Sequence, residues 1–201
     1  MSIHIDGKKI TAMYWGGRKI REAWCEGQRV FSGKPVEVMP ATPNWYDAQD
    51  WLRGRLTEYG EDYRTVEELP FEIDTGESSN LDSMFRGCSS LTTVPDMDTR
   101  QVTNMLSMFD GCSSLTTAPV MDTRQVTDMR SMFRGCSSLT TVPDMDTSSV
   151  TDMGDMFRGC SSLTDGNVRL IGKRTGVSTV RMIRDSGLTR EPFYDSSGQP
   201  I

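Results

Sequence analysis

A period of 24 residues constrains this chain more than any other feature. The segment Ser83-Met-Phe-Arg-Gly-Cys-Ser-Ser-Leu-Thr-Thr-Val-Pro-Asp-Met-Asp-Thr99 recurs from Ser107 and from Ser131 with few changes, and Asp155 to Thr164 begins a fourth copy. Met84, Met108, Met132 and Met156 fall 24 apart, as do Cys88, Cys112, Cys136 and Cys160, and Leu91, Leu115, Leu139 and Leu163. A unit this short cannot bury its apolar face alone, so identical units at a fixed interval must stack and share one core. Strand backbones in such a stack run ~4.8 Å apart, and equivalent side chains line up in columns.

Within one repeat, Val102, Met105, Met108 and Phe109 sit at i, i+3, i+6 and i+7, the spacing of one face of a short helix. Asp98-Thr99 supplies its N-cap and Gly111 its left-handed stop. Leu115, Ala118 and Met121 then point inward from an extended stretch in which Pro119 removes a donor. The reading is a helical turn, a bend, a short strand and a second bend: one coil of a solenoid.

The flanks differ. Ile3, Ile5, Ile10, Ala12 and Tyr14 alternate, followed more loosely by Ile20, Trp24, Val30 and Phe31. Asp6-Gly7, Gly16-Gly17 and Glu26-Gly27 punctuate them as tight turns. This predicts a β-meander over 1–36, closed by Ser32-Gly33-Lys34-Pro35 and followed by a Pro-rich linker over 37–43 with Pro40 and Pro43. Trp45, Ala48, Trp51, Leu52, Leu56 and Tyr59 line one face of a helix opened by Thr42-Pro43 and closed by Gly60. Residues 44–80 therefore read as that helix plus a degenerate capping coil over 61–80, in which Val66, Leu69, Pro70 and Asp74-Thr75 echo the repeat. The repeats proper occupy 81–164, and 165–201 reads as a C-terminal cap. The fold class is α+β: a small N-terminal antiparallel β-module, then a helix-capped, short solenoid with 24-residue repeats.

Charge and composition narrow the function classes. With net charge −6, the chain lacks the basic surface that a nucleic-acid partner requires. No run approaches the ~18 apolar residues of a membrane span, and Met1 to Lys9 lacks a secretory pattern. His4 is the single histidine, which leaves little material for a His-ligated metal site or a catalytic triad. Gly172-Lys-Arg-Thr-Gly-Val-Ser178 imitates a phosphate loop but lacks the Lys directly before its Ser/Thr. Glu58, Glu61 and Asp62 are paired acids at a helix end without an enclosing apolar pocket. No catalytic residue, cofactor or metal is expected.

Binding surfaces are better supported. Thr93, Thr117 and Thr141 form an outward polar column suited to glycan or protein contact. Arg86, Arg134 and Arg158 share one repeat position, interrupted by Asp110, and read either as a solvated stripe or as a reader of an anionic polymer. Asp98, Asp122 and Asp146, joined by Asp74, form a carboxylate column whose readings are capping or calcium. The four repeat cysteines read as a buried column of free thiols, and Cys25 as a core residue.

The motif Met-Phe-x-Gly-Cys-Ser-Ser-Leu-Thr-x-x-Pro-x-x-Asp-Thr-Ser-x-Val-Thr-x-Met over about 65–164 resembles the BspA-like class of leucine-rich repeats. Residues 1–34, with Ile10 to Tyr14 and Gln28 to Phe31, resemble the N-terminal β-modules of phage minor tail proteins. Ser186 to Gly198 is similar to the closing segment of actinophage tail proteins. Val120 departs from the pattern, standing where other copies have Asp96 and Asp144. The resemblance implies a non-enzymatic virion protein assembled in the host cytoplasm, a minor tail protein before a capsid decoration protein. Its N-terminal module would dock on other virion proteins in multiple copies, and its repeats would meet host cell-wall glycan or a surface protein. A bacterial cell-surface adhesin is the alternative.

Overall fold

The computed structural model of the chain describes residue 39 and residues 46–201 except 173–175 and 196, plus the backbone of the short strands between residues 3 and 38. Those strands are β1 (Ile3–Ile5), β2 (Lys8–Ile10), β3 (Met13–Trp15), β4 (Arg18–Ile20), β5 (Ala23–Cys25), β6 (Gln28–Phe31) and β7 (Val36–Val38). They pair antiparallel as successive hairpins, β1 with β2, β3 with β4 and β5 with β6. β4 also pairs with β7, and β7 runs parallel to β8 (Glu72–Asp74). The sequence boundary between module and linker thus falls inside a strand: Val36–Val38 joins the β3–β4 hairpin to β8 in one four-stranded sheet. The turns at 6–7, 16–17 and 26–27, residues 32–35, Pro40, Thr42, Pro43 and Trp45, and the side chain of Cys25 lie outside the described residues.

Helix α1 (Tyr46–Glu58) is the one helix among the described residues, and it ends before Gly60 at φ 79°. Its predicted stripe turns inward: Ala48, Leu52 and Leu56 are buried. Trp51 and Tyr59 meet Phe71 with ring centroids 6.4 and 5.2 Å apart. Gln49 Nε2 donates to the Arg86 carbonyl at 2.9 Å, covering an acceptor at the edge of the first repeat.

Behind this helix the chain stacks. Asn80, Asn104, Asp128, Asp152 and Ser178 are joined by parallel bridges, one coil to the next. The segment predicted as a helix in each repeat is instead a series of turns, and the hydrogen bonds say why. The N–H groups of Met105, Ser107, Phe109 and Gly111 donate to Asp128, Arg130, Met132 and Arg134 carbonyls of the following coil. Only the intervening Met108, Asp110 and Cys112 bond back within the turn, to residues three earlier. A helix needs every donor for its own axis. Here alternate donors leave for the neighbour, and the backbone is bent to aim them. Ser107 at φ 53° and Gly111 at φ 78° make that bend, as Ser83, Ser131 and Asp155 with Gly87, Gly135 and Gly159 do in their own coils.

The inward residues are as predicted although the element is not. Val102, Met105, Met108, Phe109, Leu115, Ala118 and Met121 are all buried. Phe85, Phe109, Phe133 and Phe157 stack with centroids 5.3, 5.4 and 5.8 Å apart and nearly parallel planes. Polar columns reinforce the apolar one. Buried Thr75, Thr99 and Thr123 donate from Oγ1 to the carbonyls of Asp98, Asp122 and Asp146 in the next coil. Ser113, Ser137, Thr127 and Thr151 donate in the opposite direction, to the coil before. Each such bond contributes about 1 kcal/mol net.

The period does not stop at Thr164. Ser178, Arg181, Met182 and Asp185 repeat the roles of Asp152, Asp155, Met156 and Gly159 at a spacing of 26, with Arg181 at φ 55° and Asp185 at φ 57°. Asp155, Phe157 and Gly159 donate to Val180, Met182 and Arg184 carbonyls as the earlier coils do. The predicted cap is therefore a further coil lengthened by two residues, with 173–175 outside the described residues. The predicted strand side becomes regular only here: β9 (Met145–Asp146), β10 (Leu170–Ile171) and β11 (Phe193–Tyr194) form a three-stranded parallel sheet.

A β-carbon at Gly135 would lie 3.7 Å from Gly111 Cα, an ordinary contact, so the constraint there is the φ of 74° rather than space. Gly135→Ala is expected to cost about 1–2 kcal/mol, read as a lower urea midpoint; an unchanged midpoint would show that the left-handed corner does not limit stability.

Candidate functional site

Each predicted surface column can be located on the stack. Thr93, Thr117 and Thr141 are exposed, and a parallel bridge joins Thr117 to Thr141. Their neighbours Thr92, Thr116 and Thr140 commit their hydroxyls to Glu67, Thr92 and Thr116 carbonyls of the preceding coil. This side of the stack thus carries a structural hydroxyl column and, beside it, an exposed threonine column.

The arginine column is less free than its sequence suggests. Asp110, with its side chain only 10% exposed, lies between Arg86 Nε at 3.5 Å and Arg134 Nε at 3.1 Å. The interruption in the stripe is its shared counter-ion. Arg158 Nη1 is 3.5 Å from Asp155 Oδ1, and Arg181 Nη2 holds the other oxygen of that carboxylate at 2.9 Å. Sequence reasoning missed one member of the column. Gly159 donates to the Arg184 carbonyl as Gly135 does to that of Arg158, so Arg184 is the next cation along this edge. Its offset of 26 instead of 24 hid it. Arg134, Gly135, Arg158, Gly159 and Asp185 line a shallow hollow of about 350 Å³ on the same edge.

The aspartate column does not cap helices. Asp74, Asp98, Asp122 and Asp146 each accept, through Oδ1, the backbone N–H two residues on: Gly76, Arg100, Arg124 and Ser148. These are Asx turns, which let a short acidic side chain fold the backbone locally. The Arg100 guanidinium also donates to both oxygens of Asp98, holding that carboxyl at about 2; Arg124 holds Asp122 low in the same way. A second Asx column went unread in the sequence: Asn80, Asn104, Asp128 and Asp152 receive Asp82, Leu106, Arg130 and Gly154 N–H groups. Among the described residues no group of three or more metal-ligating side chains gathers.

Of the paired acids, Glu58 is held by Arg55, and Asp62 accepts the Arg64 N–H at 2.8 Å. The repeat cysteines are free and buried, and three of them donate to a phenylalanine carbonyl one coil back: Cys112 to Phe85, Cys136 to Phe109 and Cys160 to Phe133. Burial pushes the thiols of Cys88 and Cys160 up to about 12.

With the stack and its columns in place, the chain can be set beside known families. Residues 79–171, a stretch just short of half the chain, match a family described as Mycoplasma protein of unknown function, DUF285. That match supports a BspA-like repeat protein. The stretch so marked stops at residue 171, inside the lengthened interval between Asp152 and Ser178. No curated protein and no solved structure matches the chain.

Two outcomes follow from the columns. Asp110→Ala should lower stability by about 1 kcal/mol, because both of its arginines also reach solvent; an unchanged urea midpoint would make Arg86 and Arg134 an ordinary solvated stripe. In a Cys25→Ser background, a thiol reagent at pH 8 should modify none of the four repeat cysteines in the native protein and all of them once unfolded. Rapid native labelling would contradict the buried column.

Proposed function

We propose that this protein is a non-enzymatic structural component of a bacteriophage virion, a minor tail protein of α+β class. In this reading the stack is a short, helix-capped BspA-like leucine-rich-repeat solenoid that projects as a spacer or host-contact surface. The observation that carries it is the way polar groups are used. Hydroxyls of Thr99, Thr123, Ser113, Ser137, Thr127 and Thr151 bind neighbouring coils, which favours a stiff rod with repetitive faces over a site of converging reactive groups. The exposed Thr93, Thr117 and Thr141 and the edge of Arg86, Arg134 and Arg158 are then the surfaces offered to a cell-wall glycan or surface protein. Residues 1–36 dock on other virion proteins, in a particle whose many copies turn weak contacts into avidity. The phage assignment rests on the resemblance of the two terminal segments to tail proteins.

A bacterial cell-surface adhesin is the second reading, and the observation favouring it is the match of the repeats to a Mycoplasma family. Immuno-electron microscopy with an antibody against 81–164 separates the candidates. Label at the tail of purified particles is the expected result. Uniform label over the head would make this a capsid decoration protein, and label on cells with none on particles would establish the adhesin.

A further inference from the structure

We infer that the N-terminal end of the arginine edge is a binding site for a phosphate group carried by a small polyol or sugar. Helix α1 lies here against the first repeat, anchored by the Gln49 bond to the Arg86 carbonyl. Four residues on from Gln49, the Arg53 guanidinium sits over the Tyr63 ring, 4.2 Å from its centroid, and the Arg64 guanidinium is 5.1 Å from the same centroid. Arg86 and Gly87 of the first repeat complete the wall. Gln49, Arg53, Tyr63, Arg64, Arg86 and Gly87 line a hollow of about 270 Å³.

Its charge is what sets it apart. Elsewhere on the stack Arg100, Arg124 and Arg130 each bind the aspartate two residues earlier. In the hollow three arginines meet, and among the described residues no carboxylate lines it. Arg86 reaches the shared Asp110 at 3.5 Å, and among the described residues Arg53 and Arg64 form no ion pair. Arg53 Nε is buried without a hydrogen-bond partner. Gathering like charges and partly desolvating one of them is unfavourable, in a chain whose net charge of −6 offers many carboxylates that would have relieved it. An entering oxyanion would relieve it instead.

Tyr63 holds two of the guanidiniums against one ring by cation–π attraction. One fork satisfies the two oxygens of a carboxylate, whereas three forks around one space match the oxygens of a phosphate. The glycine matters too: a β-carbon at Gly87 would lie 3.9 Å from Tyr63 Cε2 and narrow the hollow. The remaining volume suits a few carbons beside the phosphate. This site does not depend on where the protein is assembled.

The test is calorimetric titration of the full-length chain with glycerol 3-phosphate, a short glycerol phosphate polymer, glycerate and glycerol. Glycerol 3-phosphate should bind, glycerate about tenfold more weakly, and glycerol not at all. Arg64→Gln and Arg86→Gln, both at exposed positions, should each weaken binding about tenfold, while Arg100→Gln on another column leaves it unchanged. Binding of the polymer but not the monomer would support a phosphodiester source, and the reverse a free phosphate monoester. No binding of either, equal binding of glycerate, or an equal loss in Arg100→Gln would overturn the proposal. So would Arg64-dependent binding of an oligonucleotide in preference to both polyol phosphates.

Discussion

The structure depends on one choice made by the backbone: alternate N–H groups in each turn segment leave their own coil and bond to the next. Met105, Ser107, Phe109 and Gly111 do this, and their counterparts in the other repeats follow. A donor that serves a neighbour cannot serve a helix, so the segment gives up helical geometry and takes a hybrid one. Alternate residues behave like a parallel strand and the rest like tight turns.

Much of the repeat's composition follows from that ladder. To point every second donor along the stack, the chain passes through the left-handed region twice, at a serine or aspartate and at a glycine four residues later. Columns then form because each coil copies the last, which is why Phe85, Phe109, Phe133 and Phe157 lie flat on one another. A column also imposes a cost where side chains carry charge, since equal charges would face each other at coil spacing. Asp110 between Arg86 and Arg134 removes one such clash. It accounts physically for a residue that looks like a lapse in the repeat.

What could be read from the letters was what repeats and what points inward. Val102, Met105, Met108 and Phe109 are buried as their spacing requires, and α1 covers the first coil with Ala48, Leu52 and Leu56. The error was to equate that spacing with a helix. The i, i+3, i+7 pattern reports which side chains share a side, and a chain of tight turns satisfies it as well as a helix does. The final coil was missed because two added residues shift Arg181, Met182 and Asp185 out of register, and because Asp185 holds a left-handed corner reserved elsewhere for glycine. The convergence of Arg53, Arg64 and Arg86 was invisible, since it arises only where the helix meets the stack. The aspartates Asp98, Asp122 and Asp146 read as helix caps, whereas without a helix to cap their oxygens close Asx turns.

The ladder also has a direction. Donors of the turn segments face the following coil and acceptors the preceding one, so the two ends of the stack are chemically different. Helix α1, through Gln49, covers the acceptor end at Arg86. Every internal coil presents the same two interfaces, one on each side. A duplication of 24 codons inside the repeats would therefore insert a coil that fits both neighbours and disturb neither terminus. It would lengthen the protein by about 4.8 Å. Reach becomes a variable that replication errors can adjust in uniform steps, separately from whatever the two ends hold.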